Sequence, residues 1–320
     1  MDDIHRFGQF PTFAGVPAAR LDDLGAGEVD VVIVGAPVDW GATYRGGARF
    51  GPKAIREADY LDANGRRPHL PTGIDALREL RVVDVGDVSM PPGYLEMGLE
   101  SLAETVAKIA GLGAVPIVLG GDHSVTYGNG VGLARVHGEG SFGVVHFDAH
   151  ADTAETNWGQ MHGHGTPMRR LIESGAVPGH RFVQIGLRGY WPDPKTVQWM
   201  ADQRMRTFLM SEIVERGLRP VVDDAVDYCV GDGSAGIFIS VDVDVVDPGM
   251  APGTGTPEPG GLTSRELLDV VRRLARELPV VGADIVEVSP PYDGPGQITA
   301  FLANRVVLEV LNGMAERSVG

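Results

Sequence analysis

Residues 144–152, V-V-H-F-D-A-H-A-D, constrain this chain more than any other stretch. The apolar opening reads as a buried strand, and Asp148, His150 and Asp152 follow at a spacing of two. Period two keeps the three side chains on one face while the strand lasts. A straight strand advances roughly 6.5–7 Å per two residues, so Asp148 and Asp152 would stand about 13 Å apart. One metal ion, with bonds of roughly 2 Å, cannot hold both. Either the chain curls as it leaves the sheet or more than one ion is present. Both are expected, and the small Ala149 and Ala151 permit the curl.

Two other stretches supply partners. Residues 117–124, I-V-L-G-G-D-H-S, are an apolar strand ending in glycines and then His123. Residues 237–244, I-F-I-S-V-D-V-D, form a strand whose end carries Asp242 and Asp244 on one face. Three strands thus each deliver oxygen or imidazole groups at their C-terminal ends, the edge where ligands bind in open parallel α/β sheets. Without cations, crowded carboxylates repel and raise one another's pKa. Asp148, Asp152, Asp242 and Asp244 carry four negative charges, which two divalent ions would balance. A mixed oxygen and nitrogen donor set with no thiolate favours a hard ion such as Mn²⁺.

Composition narrows the partners. A formal charge of −16 argues against a nucleic-acid or anionic-membrane partner, and it suits a small cationic substrate. The single Cys229 cannot form an internal disulfide, which fits a reducing cytoplasm. Its neighbours are acidic and would not activate a thiol, so it reads as a core or helix-face residue. The opening M-D-D-I-H-R-F-G-Q-F lacks the pattern of a secretory leader, and no apolar run long enough to span a membrane is evident.

Strand and helix alternate along the chain. Strands are expected near 31–35, 80–85, 115–119, 142–147, 181–187, 206–209, 237–243 and 280–286. Helices are expected near 95–112, 125–136, from 168, 196–202, 211–216, 220–229, after 263 and over 298–315. Gly51-Pro52 opens a further helix after a long glycine-rich loop, 36–50, and Thr263-Ser-Arg-Glu266 reads as a capping box. Within that loop Asp39, Arg45 and Arg49 read as structural ion-pairing residues, with shaping of a site or a subunit contact the alternative. The pattern predicts a single α/β domain over 29–320: one parallel sheet with helices on both faces, preceded by a surface arm over 1–28.

The motifs G-G-D-H-S (120–124), H-F-D-A-H-A-D (146–152) and S-V-D-V-D-V-V-D-P-G-M-A-P-G-T-G-T-P (240–257) together resemble the ureohydrolase family, the arginase and agmatinase group of binuclear manganese enzymes. The H-G-T at 164–166 and the P-G-T-G-T-P-E-P-G-G loop resemble its agmatinase branch. The resemblance implies an arginase-like three-layer sandwich, commonly assembled as trimers or hexamers. It implies two Mn²⁺ per subunit, with Ni²⁺ as the alternative. One would be held by His123, Asp148, Asp152 and Asp242, the other by His150, Asp148, Asp242 and Asp244. His164 resembles the family's mobile proton-transfer histidine, with His162 its competitor. Glu287, in D-I-V-E-V-S-P, resembles the carboxylate that grips a guanidinium through two parallel N–H bonds. The resemblance gives His146 no metal role, so it reads as a hydrogen-bonded core residue, and Asp122 and Asp247 read as supporting or turn residues.

The implied reaction is hydrolysis of a linear guanidino compound to an amine and urea, with agmatine, which would give putrescine, the first choice. Guanidino acids (4-guanidinobutanoate, 3-guanidinopropanoate, proclavaminate), guanidine itself and formimidoyl compounds are the alternatives. A carboxylate tail would want an Arg or Lys at the far end of the pocket. Residues 153–163 offer Glu155 and Asn157 but no cation, while Arg45 and Arg188 keep the acid option open. A non-catalytic metal-binding subunit would be expected to lack His164, Glu287 or a ligand. A single-zinc deacetylase would leave His123, Asp152 and Asp244 surplus.

Overall fold

The computed structural model describes residues 11–60, 66–230 and 233–319. Among them lie eight strands: β1 (Val31–Ala36), β2 (Val82–Asp87), β3 (Val115–Gly120), β4 (Phe142–Phe147), β5 (Phe182–Leu187), β6 (Arg206–Leu209), β7 (Gly236–Asp242) and β8 (Val280–Val286). Ten helices connect and cover them: α1 (Gly51–Glu57), α2 (Ala76–Glu79), α3 (Leu95–Gly111), α4 (Val125–His137), α5 (Pro167–Glu173), α6 (Pro194–Asp202), α7 (Met210–Arg216), α8 (Leu218–Cys229), α9 (Ser264–Glu277) and α10 (Ile298–Val319). Every strand pair is parallel, in the order β2-β1-β3-β8-β7-β4-β5-β6.

Both faces of the sheet are buried. Ile33, Ile117, Val145, Ile185, Ile239 and Ile285 point towards α1, α8, α9 and α10. Val32, Val118, Val144, Phe182 and Phe238 point towards α3, α4 and α5. Two-sided burial explains why the strands read as continuous apolar runs rather than alternating ones. The α/β sandwich expected from the sequence is the fold observed.

The differences are local. The second strand starts two residues late, at Val82, because Ala76–Glu79 forms a short helix whose last turn takes Leu80. Strand β7 ends at Asp242, and Asp244 lies in the 3₁₀ turn Val243–Val245 rather than on the strand. Helix α10 is, by length and composition alone, apolar enough to cross a membrane, contrary to the reading of the sequence. Its most apolar 18-residue window has a mean hydropathy of 1.2, and 67% of that window is buried, where its apolar residues pack within the domain. The capping box at Thr263 and Glu266 is formed. Residues 1–10 of the expected arm lie outside the described residues. Beyond them Phe13 is fully buried, and its N–H donates to Asp84, which also pairs with the buried Arg56.

Candidate active site

The four central strands β3, β8, β7 and β4 are adjacent, and each ends beside the same crevice. After β3, Gly120 and Gly121 let the chain pass close to the neighbouring loop: a Cβ on Gly121 would lie 1.8 Å from the Val38 carbonyl oxygen. That passage delivers His123, which is fully buried. After β4 the chain curls as the spacing required. Asp152 takes a left-handed φ of 50°, and Asp148 and Asp152 both reach His123. After β8, Glu287 is also left-handed, with φ 62°. Such conformations are costly for residues other than glycine and collect at functional sites.

His123 Nδ1 lies 3.0 Å from Asp148 Oδ2, 3.0 Å from Asp152 Oδ2 and 3.3 Å from Asp242 Oδ2. His150 Nδ1 lies 3.0 Å from Asp244 Oδ2 and 3.5 Å from Asp148 Oδ1. Asp148 therefore presents one oxygen to each set. Asp242 turns Oδ2 to His123, and its Oδ1 accepts the Asp244 N–H. His123 Nε2 lies 3.0 Å from Ser240 Oγ, leaving Nδ1 buried with no hydrogen-bond partner. An orphaned ring nitrogen converging with three carboxylate oxygens is what a cation would satisfy, so these residues fit the ions implied above.

The electrostatics agree. Burial lowers the His150 pKa, but Asp244 and Asp148 outweigh it and push the imidazole up to about 12. His123 is likewise held well above its ordinary value, against burial, by Asp148, Asp152 and Asp242. Burial, then mutual repulsion, raises Asp242 well above the usual carboxylate range. Burial would raise Asp148 too, but the surrounding imidazoles, His146 foremost, hold it well below.

His164 Nδ1 lies 3.1 Å from Glu287 Oε1, and its Nε2 accepts the Thr43 N–H at 3.1 Å and lies 2.7 Å from Thr43 Oγ1. Burial lowers the His164 pKa, yet Glu287 pushes it up to about 9; the Thr43 amide works against that by favouring the neutral ring. Glu287 Oε1 also accepts the His123 N–H at 2.9 Å, a second bond on the same oxygen. Asp122, raised to about 6 by burial and then by Glu287, anchors the 36–50 loop through the Gly41 N–H at 2.7 Å. Gly41 O in turn accepts the His164 N–H.

His162 is elsewhere, packed at a tilt against Tyr127 with 4.8 Å between ring centroids. Asp247 caps a turn through Gly249 and Gly260. Asp39 pairs with Arg49 at 2.6 Å, Arg45 stacks on Tyr44 and Tyr292, and Cys229 is buried with its thiol pKa pushed up. Arg188 is committed to the carbonyls of Gly186, Asp244, Val245, Glu258 and Pro259. A cleft of about 340 Å³ opens over the cluster, and Thr43, Asn157, Trp158, Trp191 and Thr256 line its outer part. Tyr190 is fully exposed, and Met161 Sδ accepts from Arg170 Nη1 at 3.4 Å. The sequence reading missed Thr43, because nothing local marks a loop threonine that meets a histidine 121 residues away.

A parallel α/β sandwich carries two histidine–aspartate sets at the carboxyl edge of its central strands, and their donor groups fit a pair of metal ions. The chain belongs to the Arginase family, whose model matches residues 29–312. It is 41% identical over 285 residues to the mitochondrial agmatinase of Gallus gallus, covering 88% of this chain and 80% of that one. It is 40% identical over 315 residues to the guanidinopropionase of Pseudomonas aeruginosa (98% and 94% covered). The structure of proclavaminate amidinohydrolase from Streptomyces clavuligerus superposes with a TM-score of 0.88 at 36% identity, covering 98% of this chain and 99% of that one. A Trypanosoma cruzi formiminoglutamase described with Mn²⁺ superposes at 0.81 with 28% identity (94% and 99% covered). The chain is accordingly an amidinohydrolase, acting on C–N bonds.

Proposed function

We propose that this chain hydrolyses a linear guanidino compound to an amine and urea, with agmatine the preferred substrate. The observation that carries the reading is the convergence of the orphaned His123 Nδ1 with Asp148, Asp152 and Asp242, beside the Asp148–His150–Asp244 set. His123, Asp148, Asp152 and Asp242 would hold one divalent ion, and His150, Asp148, Asp242 and Asp244 the other. Mn²⁺ is the first choice and Ni²⁺ the alternative. When bound, such a pair supplies Lewis acidity and lowers the pKa of water towards neutrality.

The chain's own groups do the rest. Glu287, anchored by the His123 amide, receives the guanidinium in place of His164, and the displaced imidazole is then free to carry a proton to the departing amine. Water adds to the guanidino carbon, the C–N bond to the tail breaks, and the tail leaves as an ammonium beside neutral urea. The agmatine preference rests on the cleft lining. No Lys or Arg is among its lining residues, and Arg188 and Arg45 are engaged elsewhere. A carboxylate tail would find no counter-charge from these residues, whereas Trp158 and Trp191 offer aromatic faces suited to a cation. The same reading takes a small cationic substrate and places a homo-oligomer, a trimer or hexamer, in the cytoplasm.

The test is urea release by metal-stripped and Mn²⁺- or Ni²⁺-reloaded protein. The panel is agmatine, 4-guanidinobutanoate, 3-guanidinopropanoate, proclavaminate and guanidine. Agmatine should show the highest kcat/KM, and stripped protein should release no urea. Full activity after stripping refutes the metal reading; a higher kcat/KM for a guanidino acid refutes the agmatine preference alone.

A further inference from the structure

A buried polar row crosses the sheet one step beneath the candidate ligands. Strand register places Thr207, Gln184, His146, Ser240 and Asp284 side by side on β6, β5, β4, β7 and β8. Asp148 and Asp242 follow His146 and Ser240 by two residues. The row therefore lies just inward of the site, on the sheet face towards α4, where Asn129 reaches Asp284. Gln184, His146, Ser240 and Asp284 have no exposure. Polar side chains there are costly unless each bond is made.

The bonds fix their own directions. Gln184 Nε2 lies 2.7 Å from the Ala151 carbonyl oxygen, which only accepts, so Nε2 is the amide nitrogen. The Thr207 hydroxyl faces the other end, Oε1, at 3.4 Å. The same Nε2 lies 3.0 Å from His146 Nδ1, which must then accept. The ring proton is left on Nε2, which donates to Asp148 Oδ2 at 2.8 Å. With one nitrogen accepting and the other donating, the ring has no lone pair left for a metal. Proximity alone would group His146 with His123 and Asp148 as a ligand set.

We infer that Gln184 and His146 are positioning residues that set the direction of the shared carboxylate Asp148, and that His146 is not a ligand. The inference rests on the metal reading above. Asp148 Oδ2 takes the His146 bond and also faces His123, while Oδ1 accepts the His150 N–H and faces the second set. Turning this one carboxylate therefore disturbs both sets. Gln184 also holds Ala151, inside the curl that brings Asp152 to the site.

The test is Mn²⁺ uptake by the full chain, measured by chelator competition with thermal melting in parallel. His146→Leu and Gln184→Leu should each weaken Mn²⁺ binding by about 10- to 100-fold, the usual cost of losing a bond behind a metal ligand. His146→Gln places an amide N–H where the imidazole Nε2–H stood and should keep most of the affinity. If His146→Leu does not fold, Gln184→Leu and His146→Gln still decide. Loss of one Mn²⁺ in His146→Gln would make His146 a ligand and overturn the inference. So would unchanged Mn²⁺ affinity in the leucine variants with only a lower Tm, since that is simple packing. Wild-type chain that takes up no Mn²⁺ would overturn the metal reading and this inference together.

Discussion

Raising the pH should tighten metal binding steeply, and by an amount the geometry sets. In the metal-free chain His150 is pushed up to about 12, after burial, by Asp244 and Asp148, and His123 is held well above its ordinary value. Both imidazoles therefore carry a ring proton across the neutral range, and each donor set contains one of them. A cation must expel that proton to reach the nitrogen. Each association constant should rise about tenfold per pH unit, and their product about a hundredfold, from about pH 6.5 to about 8.5. Imidazoles of ordinary pKa, roughly 6.5, would be neutral above about pH 7.5 and give no slope there. Any proton on Asp242 or Asp244, both raised first by burial, can only steepen it. Stability should follow. The folded-state value of His150 lies above its unfolded one, so its contribution is fully present below about pH 6.5 and declines as pH rises towards 12. The metal-free Tm should fall over that window while the rise in Tm on adding Mn²⁺ grows. Chelator-buffered Mn²⁺ titrations at several pH values, with melting curves, provide the measurement. Association constants that stay flat between about pH 7 and 8.5 would refute the reasoning.

Four substitutions separate the parts of the site. Glu287→Gln should leave Mn²⁺ uptake intact but lower kcat/KM by about a hundredfold or more, because a neutral amide cannot match a guanidinium; steady-state urea release reads this. Gly121→Ala should abolish metal uptake or folding, read by circular dichroism and metal analysis, because the new Cβ would meet the Val38 carbonyl at 1.8 Å, backbone against backbone. Arg188→Leu frees five carbonyls, among them those of Asp244 and Glu258, and should lower Tm by several degrees and weaken Mn²⁺ binding together. Trp158→Ala, at a side chain 89% exposed on the rim, should raise KM for agmatine several-fold with kcat and Tm unchanged.

What the sequence revealed and what it withheld divide along a physical line. Strand interiors buried on both faces announce themselves, so the termini of β4, β6 and β8 were legible to about a residue, and so were the motifs at the carboxyl ends of the central strands. The curl after Phe147 was legible as well, because a straight strand could not bring Asp148 and Asp152 together. Strand order was not, since eight parallel strands joined by helices can be arranged in many ways. Nor were pairings made only by that order. Gln184 sits in F-V-Q-I-G-L, a run that reads as plain apolar strand, and its bond to His146 spans 38 residues. Arg188 reads as a candidate substrate cation until the 244–262 loop folds over it and takes every donor group.

The row beneath the site shows why such residues escape a reading by motif. Carboxylates clustered at buried strand ends need fixed directions as well as cations, because a side chain free to rotate would offer its oxygens to either set. Motif spacing records which residues arrive at the crevice. Direction is set one layer down, where β4, β5 and β7 align, and there any residue with the right hydrogen-bond polarity suffices. His146 and Ser240, each two residues before a candidate ligand on the same face, are the trace this leaves in sequence. A polar residue two positions inward from a buried strand-end carboxylate should therefore be read as its orienting partner before it is read as a ligand. The paired leucine and glutamine substitutions at His146 distinguish those two readings.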